Sequence, residues 1–328
     1  MAGAGSLRSG DPSARTRRPW ATVTSTWPSW TGSPTGRRRR PPGLEQFFQF
    51  LIAFAHRGMR DNGGVTVYRD EGIVLRTQKL GEADRIITVL TRRAGRIRAV
   101  AKGVRKTKSK FGARLEPFTH VDLQLYERRS LDLITQAETL RPYGEPLVSD
   151  YPRYTAGTAM LETAEKLTAE EGEPSLRQFL LLVGGLRTLC ERTHESRLVL
   201  DAFLLRSLSV AGWAPALDEC ARCGGRAGIR GFAIPAGGAI CLACRVPGSA
   251  TPAPETFTLM LALLRGEWDV ADASEDRHRV ECSGLVAAYL QWHLEHGIRS
   301  LRHVERSKSE VPRTGPAPEW GQATGTAP

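Results

Sequence analysis

The stretch Gly95-Arg96-Ile97-Arg98-Ala99-Val100-Ala101-Lys102-Gly103 decides how the first half of this chain folds. Ile97, Ala99 and Ala101 fall on one side of an extended chain, and Arg96, Arg98 and Lys102 fall on the other. That alternation predicts a half-buried β-strand with an apolar inner face and a cationic outer one. Similar short runs flank it. Upstream, Gly72–Thr77 is an apolar run followed by the turn-like Leu80-Gly81-Glu82, and Arg85–Thr91, rich in β-branched residues, closes at the hairpin signal Ala94-Gly95. Downstream, Val121, Leu123 and Leu125 alternate with Asp122, Gln124 and Tyr126, and Leu131–Thr139 follows the turn at Arg128–Ser130.

Five short strands in so few residues cannot keep one face dry as an open sheet, so the sheet must curl. A five-stranded Greek-key barrel of the OB type, spanning residues 67–145, is the economical solution, with an SH3-like barrel as its nearest rival. Charge then suggests what the barrel meets. The 328-residue chain carries a net charge of +11, and residues 65–145 account for +7 of it, whereas residues 146–328 sum to −3. Between positions 92 and 114 there are ten basic side chains and no acidic one. A solvated face normally mixes signs, and uncompensated cations repel one another, so such a run points to a polyanion. The predicted nucleic-acid contacts are Arg85, Arg96, Arg98, Lys102, Arg105, Lys106, Lys108, Lys110 and Arg114. Lysines on a loop suit point contacts to phosphates, and arginines on a strand can fork to them. Strands two and three carry no aromatic residue, and Phe111 and Phe118 read as core plugs. Binding is therefore predicted to be led by the phosphate backbone, not by base stacking.

After Pro142-Tyr143-Gly144 the hydrophobic period becomes helical. Met160, Leu161, Ala164 and Leu167 mark one helix, and a second starts at Pro174 and Ser175. Leu198–Val210 is a third, stopped by Gly212 and Pro215, and Thr256–Leu264 and Val280–Leu301 are two more. Residues 146–306 thus read as an all-α domain, and the fold class as α+β. Into it is inserted, over residues 218–246, a C-x2-C-x17-C-x2-C array formed by Cys220, Cys223, Cys241 and Cys244. This spacing suits one tetrahedral Zn2+, and four thiolates leave no position for an activated water, so the site is predicted to be structural. Two disulfides or a redox pair are the competing readings. A zinc deaminase is excluded, since His293-Leu294-Glu295 follows both cysteine pairs. His293 and His296 read as polar-face residues of the last helix, and Cys190 and Cys282 as core thiols.

Residues 1–66 mix Pro, Gly, Ser, Thr and Arg without a sustained period and read as a disordered extension, with Met59 or Val65 as natural starts. A secretory signal fits poorly, because the apolar run Phe47–Ala55 is short and broken by Gln49. Residues 307–328 read as a disordered tail. No apolar run is long enough to span a membrane. No Gly-Lys dipeptide, G-x-G-x-x-G or G-x-S-x-G occurs, so nothing points to an enzyme.

Three stretches together resemble the RecO family of bacterial recombination mediators. They are Tyr68-Arg69-Asp70-Glu71-Gly72-Ile73-Val74-Leu75 with Gly81-Glu82-Ala83-Asp84-Arg85-Ile86; Gly95 through Lys106; and Ala211-Gly212-Trp213-Ala214-Pro215 running through Leu217 into Cys220-Ala221-Arg222-Cys223-Gly224. The similarity spans about residues 68–305, and residues 1–64 depart from it. It implies a non-catalytic protein of DNA repair by the RecF pathway. Such a protein binds single- and double-stranded DNA, anneals complementary strands and, with RecR, helps RecA load on DNA coated by single-strand-binding protein. Contact with the C-terminal tail of single-strand-binding protein is implied for the helical domain, and a cytoplasmic, nucleoid-associated location follows. The rival class is an RNA-binding accessory factor of translation or transcription.

Overall fold

A computed structural model of the chain describes residues 66–306, apart from 110, 169, 295–297 and 299 and the side chains of 302, 305 and 306. The readings of residues 1–64, of the tail 307–328, of Lys110 and of His296 lie outside the described residues. The first unit is a closed barrel of five strands, β1 (Val67–Leu80), β2 (Asp84–Thr91), β3 (Arg96–Ala101), β4 (Thr119–Tyr126) and β5 (Asp132–Pro142), in the order β1-β2-β3-β5-β4. β1 is far longer than the apolar run Gly72–Thr77, because it serves two neighbours. Its first half pairs with β4 and its second half with β2, both antiparallel. The strand crosses from one to the other at Gly72, where a Cβ would stand 2.5 Å from Val89 Cγ1 and 2.9 Å from Leu90 O. A bulge between Val74 and Arg76 turns the strand further. Closure is made by a short parallel pairing of β3 with β5, Ala99 opposite Asp132 and Val100 opposite Leu133.

The inner face is the one the alternation gives. Ile97, Ala99, Ala101, Val121, Leu123 and Leu125 are buried together, and Phe111 and Leu115, from the β3–β4 connection, plug the barrel. β1 and β2 are buried on both faces, however, which is why Gly72–Thr77 reads as a continuous apolar run. Val74 points into the barrel, whereas Ile73, Leu75 and Leu90, with Phe118, join the core of the helices.

The helices follow as α1 (Gly144–Val148), α2 (Tyr151–Leu167), α3 (Leu176–Glu191) and α4 (Ser196–Val210). Asp150 caps α2 by accepting from the Arg153 amide at 3.2 Å. α4 is buried almost all round, from Leu198 to Leu208, and forms the axis of the domain. It stops at Gly212 (φ +87°), where the Trp213 amide returns to the Leu208 carbonyl at 2.8 Å. Then come the β-hairpin β6 (Ile229–Ala233) and β7 (Gly238–Cys241), and the helices α5 (Pro254–Arg265), α6 (Trp268–Asp272), α7 (Asp276–His293) and α8 (Leu301–Arg306). Arg206 of α4, buried, donates to the Leu263 and Leu264 carbonyls at the end of α5.

The long last helix expected over Val280–Leu301 is broken. α7 ends at His293, Leu294 is extended (φ −108°, ψ 109°), and α8 begins separately. Glu162 of α2 accepts from both the amide and the hydroxyl of Ser300, at 2.9 and 2.7 Å, anchoring the chain just before α8. Leu290, Leu294, Ile298 and Leu301 are all buried, so the apolar period reports burial correctly across a break it does not reveal.

Candidate nucleic-acid interface and metal centre

The cationic run divides into two parts in the structure. On β3, Arg96 and Arg98 point away from the barrel core but meet the connection between α2 and α3. Arg98 Nε pairs with Glu171, and Arg96 lies 3.7 Å from the same carboxylate. Arg96 also donates to the Thr168 carbonyl at 2.6 Å and is only 12% exposed, so it is a junction residue. Arg85 pairs with Glu116 at 2.6 Å and Arg92 with Glu71 at 2.6 Å. The expectation of ten uncompensated cations therefore does not hold for Arg92, Arg96 and Arg98, and Arg85, just outside that run, is paired as well. Their carboxylate partners lie outside the window 92–114, where a local charge count cannot see them.

The loop after β3 behaves differently. Lys102, Arg105, Lys106 and Lys108 are exposed, and none has an ion pair among the described residues. The loop backbone is nonetheless ordered. Gly103 N donates to Asp84 Oδ1 at 2.7 Å, Arg105 N to the Ala83 carbonyl at 3.0 Å, and Arg105 Nη1 to the Gly81 carbonyl at 3.2 Å. Successive turns, Lys106 N to Gly103 O and Ser109 N to Lys106 O, carry the chain to the Phe111 plug. Arg114 follows on the exposed side and lines two adjoining shallow depressions of about 370 and 520 Å³ between this loop and β5, with Thr135, Gln136 and Thr139 opposite. Phe111 and Phe118 are buried, as their reading as plugs requires. The loop thus offers positive charge without an exposed aromatic ring.

Two exposed arginines escaped the sequence reading. Arg128 and Arg129 lie on the β4–β5 turn, and the pairing of Ala99 with Asp132 brings that turn beside β3. Arg128 stands over the Tyr126 ring, 5.3 Å from its centroid. Only the parallel closure joins them to the cationic strand, and no local pattern announces it.

The four cysteines converge. One ligand atom from each of Cys220, Cys223, Cys241 and Cys244 lies within 4.8 Å of the others, and the Cys223 and Cys241 sulfurs are 3.9 Å apart. A tetrahedron with metal–sulfur bonds of about 2.3 Å has edges of roughly 3.8 Å. Gly224 (φ +72°) lets the first pair turn back, with its amide on the Cys220 carbonyl at 2.8 Å. The β6–β7 hairpin sets Cys241 opposite Ile229 and delivers the second pair. The Cys241 amide, aimed at Cys220 Sγ at 3.4 Å, is the main reason that thiol is pulled down to about 6. Cys244, hydrogen-bonded first to Cys241 and then to the other sulfurs, is pushed up to about 12. Four sulfurs gathered at this spacing form a donor set that could hold a divalent cation in exchange for their protons. No disulfide joins any of the four.

His293 is not a polar-face residue. It stacks on Trp213 (centroids 5.0 Å apart) and meets the Tyr289 ring edge-on at 4.6 Å, with burial lowering its pKa. Cys282 is fully buried, and Cys190 is half-buried against the Tyr143 carbonyl. No described helix is long and apolar enough to cross a membrane.

Comparison with known proteins agrees with this layout. Residues 65–143 match the family described as Recombination protein O N terminal, and residues 148–302 match Recombination protein O C terminal. Relatives named DNA repair protein RecO include one from Thermobifida fusca, 67% identical over 243 residues that cover 74% of this chain and 100% of its own length. Others come from Nocardioides sp., at 63% identity (73% of this chain and 100% of the relative), and Streptomyces griseus, at 62% (74% and 100%). With both family regions matched in order, one on the barrel and one on the helices, the chain belongs to the RecO family of recombination proteins.

Proposed function

We propose that this protein is a DNA-binding mediator of recombinational repair, not an enzyme, and that residues 67–145 act as its OB-type nucleic-acid unit. The strand order and closure support the OB reading. The observation that carries the function is the ordered loop of Lys102, Arg105, Lys106 and Lys108, exposed and without a carboxylate partner among the described residues. Lys110, Arg114, Arg98 and Arg85 extend the proposed track at its margins. Cations that neutralise the sugar–phosphate chain, with no ring to stack on bases, leave base edges free to pair. That is what strand annealing and RecA loading on protein-coated DNA require, and double-stranded DNA presents the same phosphates.

Residues 146–306 are the proposed partner-binding unit, with RecR and the acidic tail of single-strand-binding protein as its partners. One Zn2+ on Cys220, Cys223, Cys241 and Cys244 fixes the knuckle over 218–246; with the sphere filled by thiolates, its part is structural.

The test is binding of single-stranded DNA against salt. If roughly five phosphates are neutralised, log K falls against log salt with a slope of about −3.5, on the order of a hundredfold between 50 and 200 mM. Replacing Lys102, Arg105, Lys106 and Lys108 by Ala should flatten the slope and abolish annealing. A flat slope in the parent, or unimpaired annealing by the variant, overturns the assignment. Competition with RNA of equal length distinguishes the translation or transcription reading, which requires RNA to win.

A further inference from the structure

Residues 170–173, in the connection between α2 and α3, lie along the edge of β3. Arg96 and Glu171 form a parallel β-bridge, and the Gly172 amide donates to the Arg96 carbonyl at 3.0 Å. Gly95, at the start of the strand, sits so close beneath this connection that a Cβ would fall 1.7 Å from the Glu173 carbonyl oxygen. The strap carries Glu170, Glu171 and Glu173, all exposed. Its central carboxylate reaches Arg98, which projects from the outer face of β3 with Lys102.

We propose that Glu171 is a tethered phosphate mimic: it occupies the Arg98 guanidinium in the free protein, and a phosphodiester of bound DNA takes its place. This rests on the reading of the loop as a phosphate track and extends that track onto β3. The docking of strap to strand does not need the Arg98 pair. The backbone bridge and the Gly172 and Thr168 bonds already make it, and the Arg76–Glu165 pair at 2.8 Å separately holds α2 to β1. Arg98 and Glu171 are 42% and 37% exposed, so water reaches both and their mutual hold is weak. A polyanion gains from released counterions what a single carboxylate does not, and it meets Arg98 next to the exposed Lys102. Arg96, with its Nε on a carbonyl, stays behind as an anchor.

The experiment compares Glu171→Gln with Glu170→Gln, which removes the same charge one residue away from a side chain with no ion pair among the described residues. Each is titrated with a labelled oligothymidine across a salt series, in the parent and in an Arg98→Ala background. The expected result is binding tightened roughly threefold or more by Glu171→Gln alone, and no difference between the two variants once Arg98 is gone. Arg98→Ala by itself should reduce the magnitude of the salt slope by about 0.7, the share of one phosphate on a single strand. Equal effects of the two Gln variants, a Glu171 effect that persists without Arg98, or a loss of thermal stability in Glu171→Gln with affinity unchanged would overturn the mimic. Should Glu171→Gln not fold, an unchanged slope in Arg98→Ala overturns it too. A parent protein with no salt-dependent binding would instead bring down the phosphate track itself.

Discussion

The barrel gathers thirteen buried residues into a core of its own, from Val74 to Ala137, whereas the core of the knuckle is Cys220, Ala233, Ile240 and Cys241. Both are small β structures hung with arginines. The barrel closes around an apolar core of its own, even though the outer face of β1 and β2 also packs on the helices. The knuckle does not, and half of its core is sulfur that a cation would bind. In structures this small, either apolar volume or a metal must offset the loss of chain entropy. The contrast teaches where each can be broken.

The largest effect should come from the metal. Structural zinc is worth about 10–16 kcal/mol in small knuckles. Chelation, or Cys241→Ser, is expected to release residues 218–250 to fast amide exchange while β1–β5 stay protected, with metal content falling from one ion per chain to none. Coordinated loss of both regions would show that the knuckle supports the barrel as well. Next is Phe111→Ala, which empties the barrel plug, and denaturant unfolding should register a loss of about 3–5 kcal/mol. DNA affinity should weaken with it, since Phe111 anchors the end of the cationic loop.

Asp201 gives an intermediate effect. It is buried in α4, and desolvation raises its pKa from 3.8 to about 7, opposed by a 2.5 Å hydrogen bond donated by Ser283 and by Arg197. Between those values the unfolded chain is ionised there and the folded chain is not, so folding stability falls as pH rises from about 4 to about 7. Asp201→Asn should flatten that part of the stability profile; an unchanged slope would place the titration elsewhere. The smallest effect is expected at the barrel surface. Arg69 grips Asp122 through two nitrogens at 2.7 to 3.0 Å, yet Arg69 is 66% exposed. Arg69→Ala should produce only a small shift in melting temperature, because solvent screens so exposed a pair.

Much of this was legible without coordinates. The β3 alternation placed Ile97, Ala99 and Ala101 inside, and the cysteine spacing placed four sulfurs together, because strand period and ligand spacing are local properties. The helix break at Leu294 was not legible, since it depends on Glu162 capturing Ser300 from 138 residues away. Nor was the stacking of His293 on Trp213, which joins two elements distant in sequence.

By itself the amino-acid order determined that a cationic strand and loop would stand on the outside of a small barrel, and that a four-cysteine cluster would follow. Which of those cations are spoken for was decided only by tertiary packing. Charge is counted along the chain, but it is neutralised through space: Arg98 lost its freedom to Glu171, delivered by the turn between two helices, while Lys102, four positions on, kept its own.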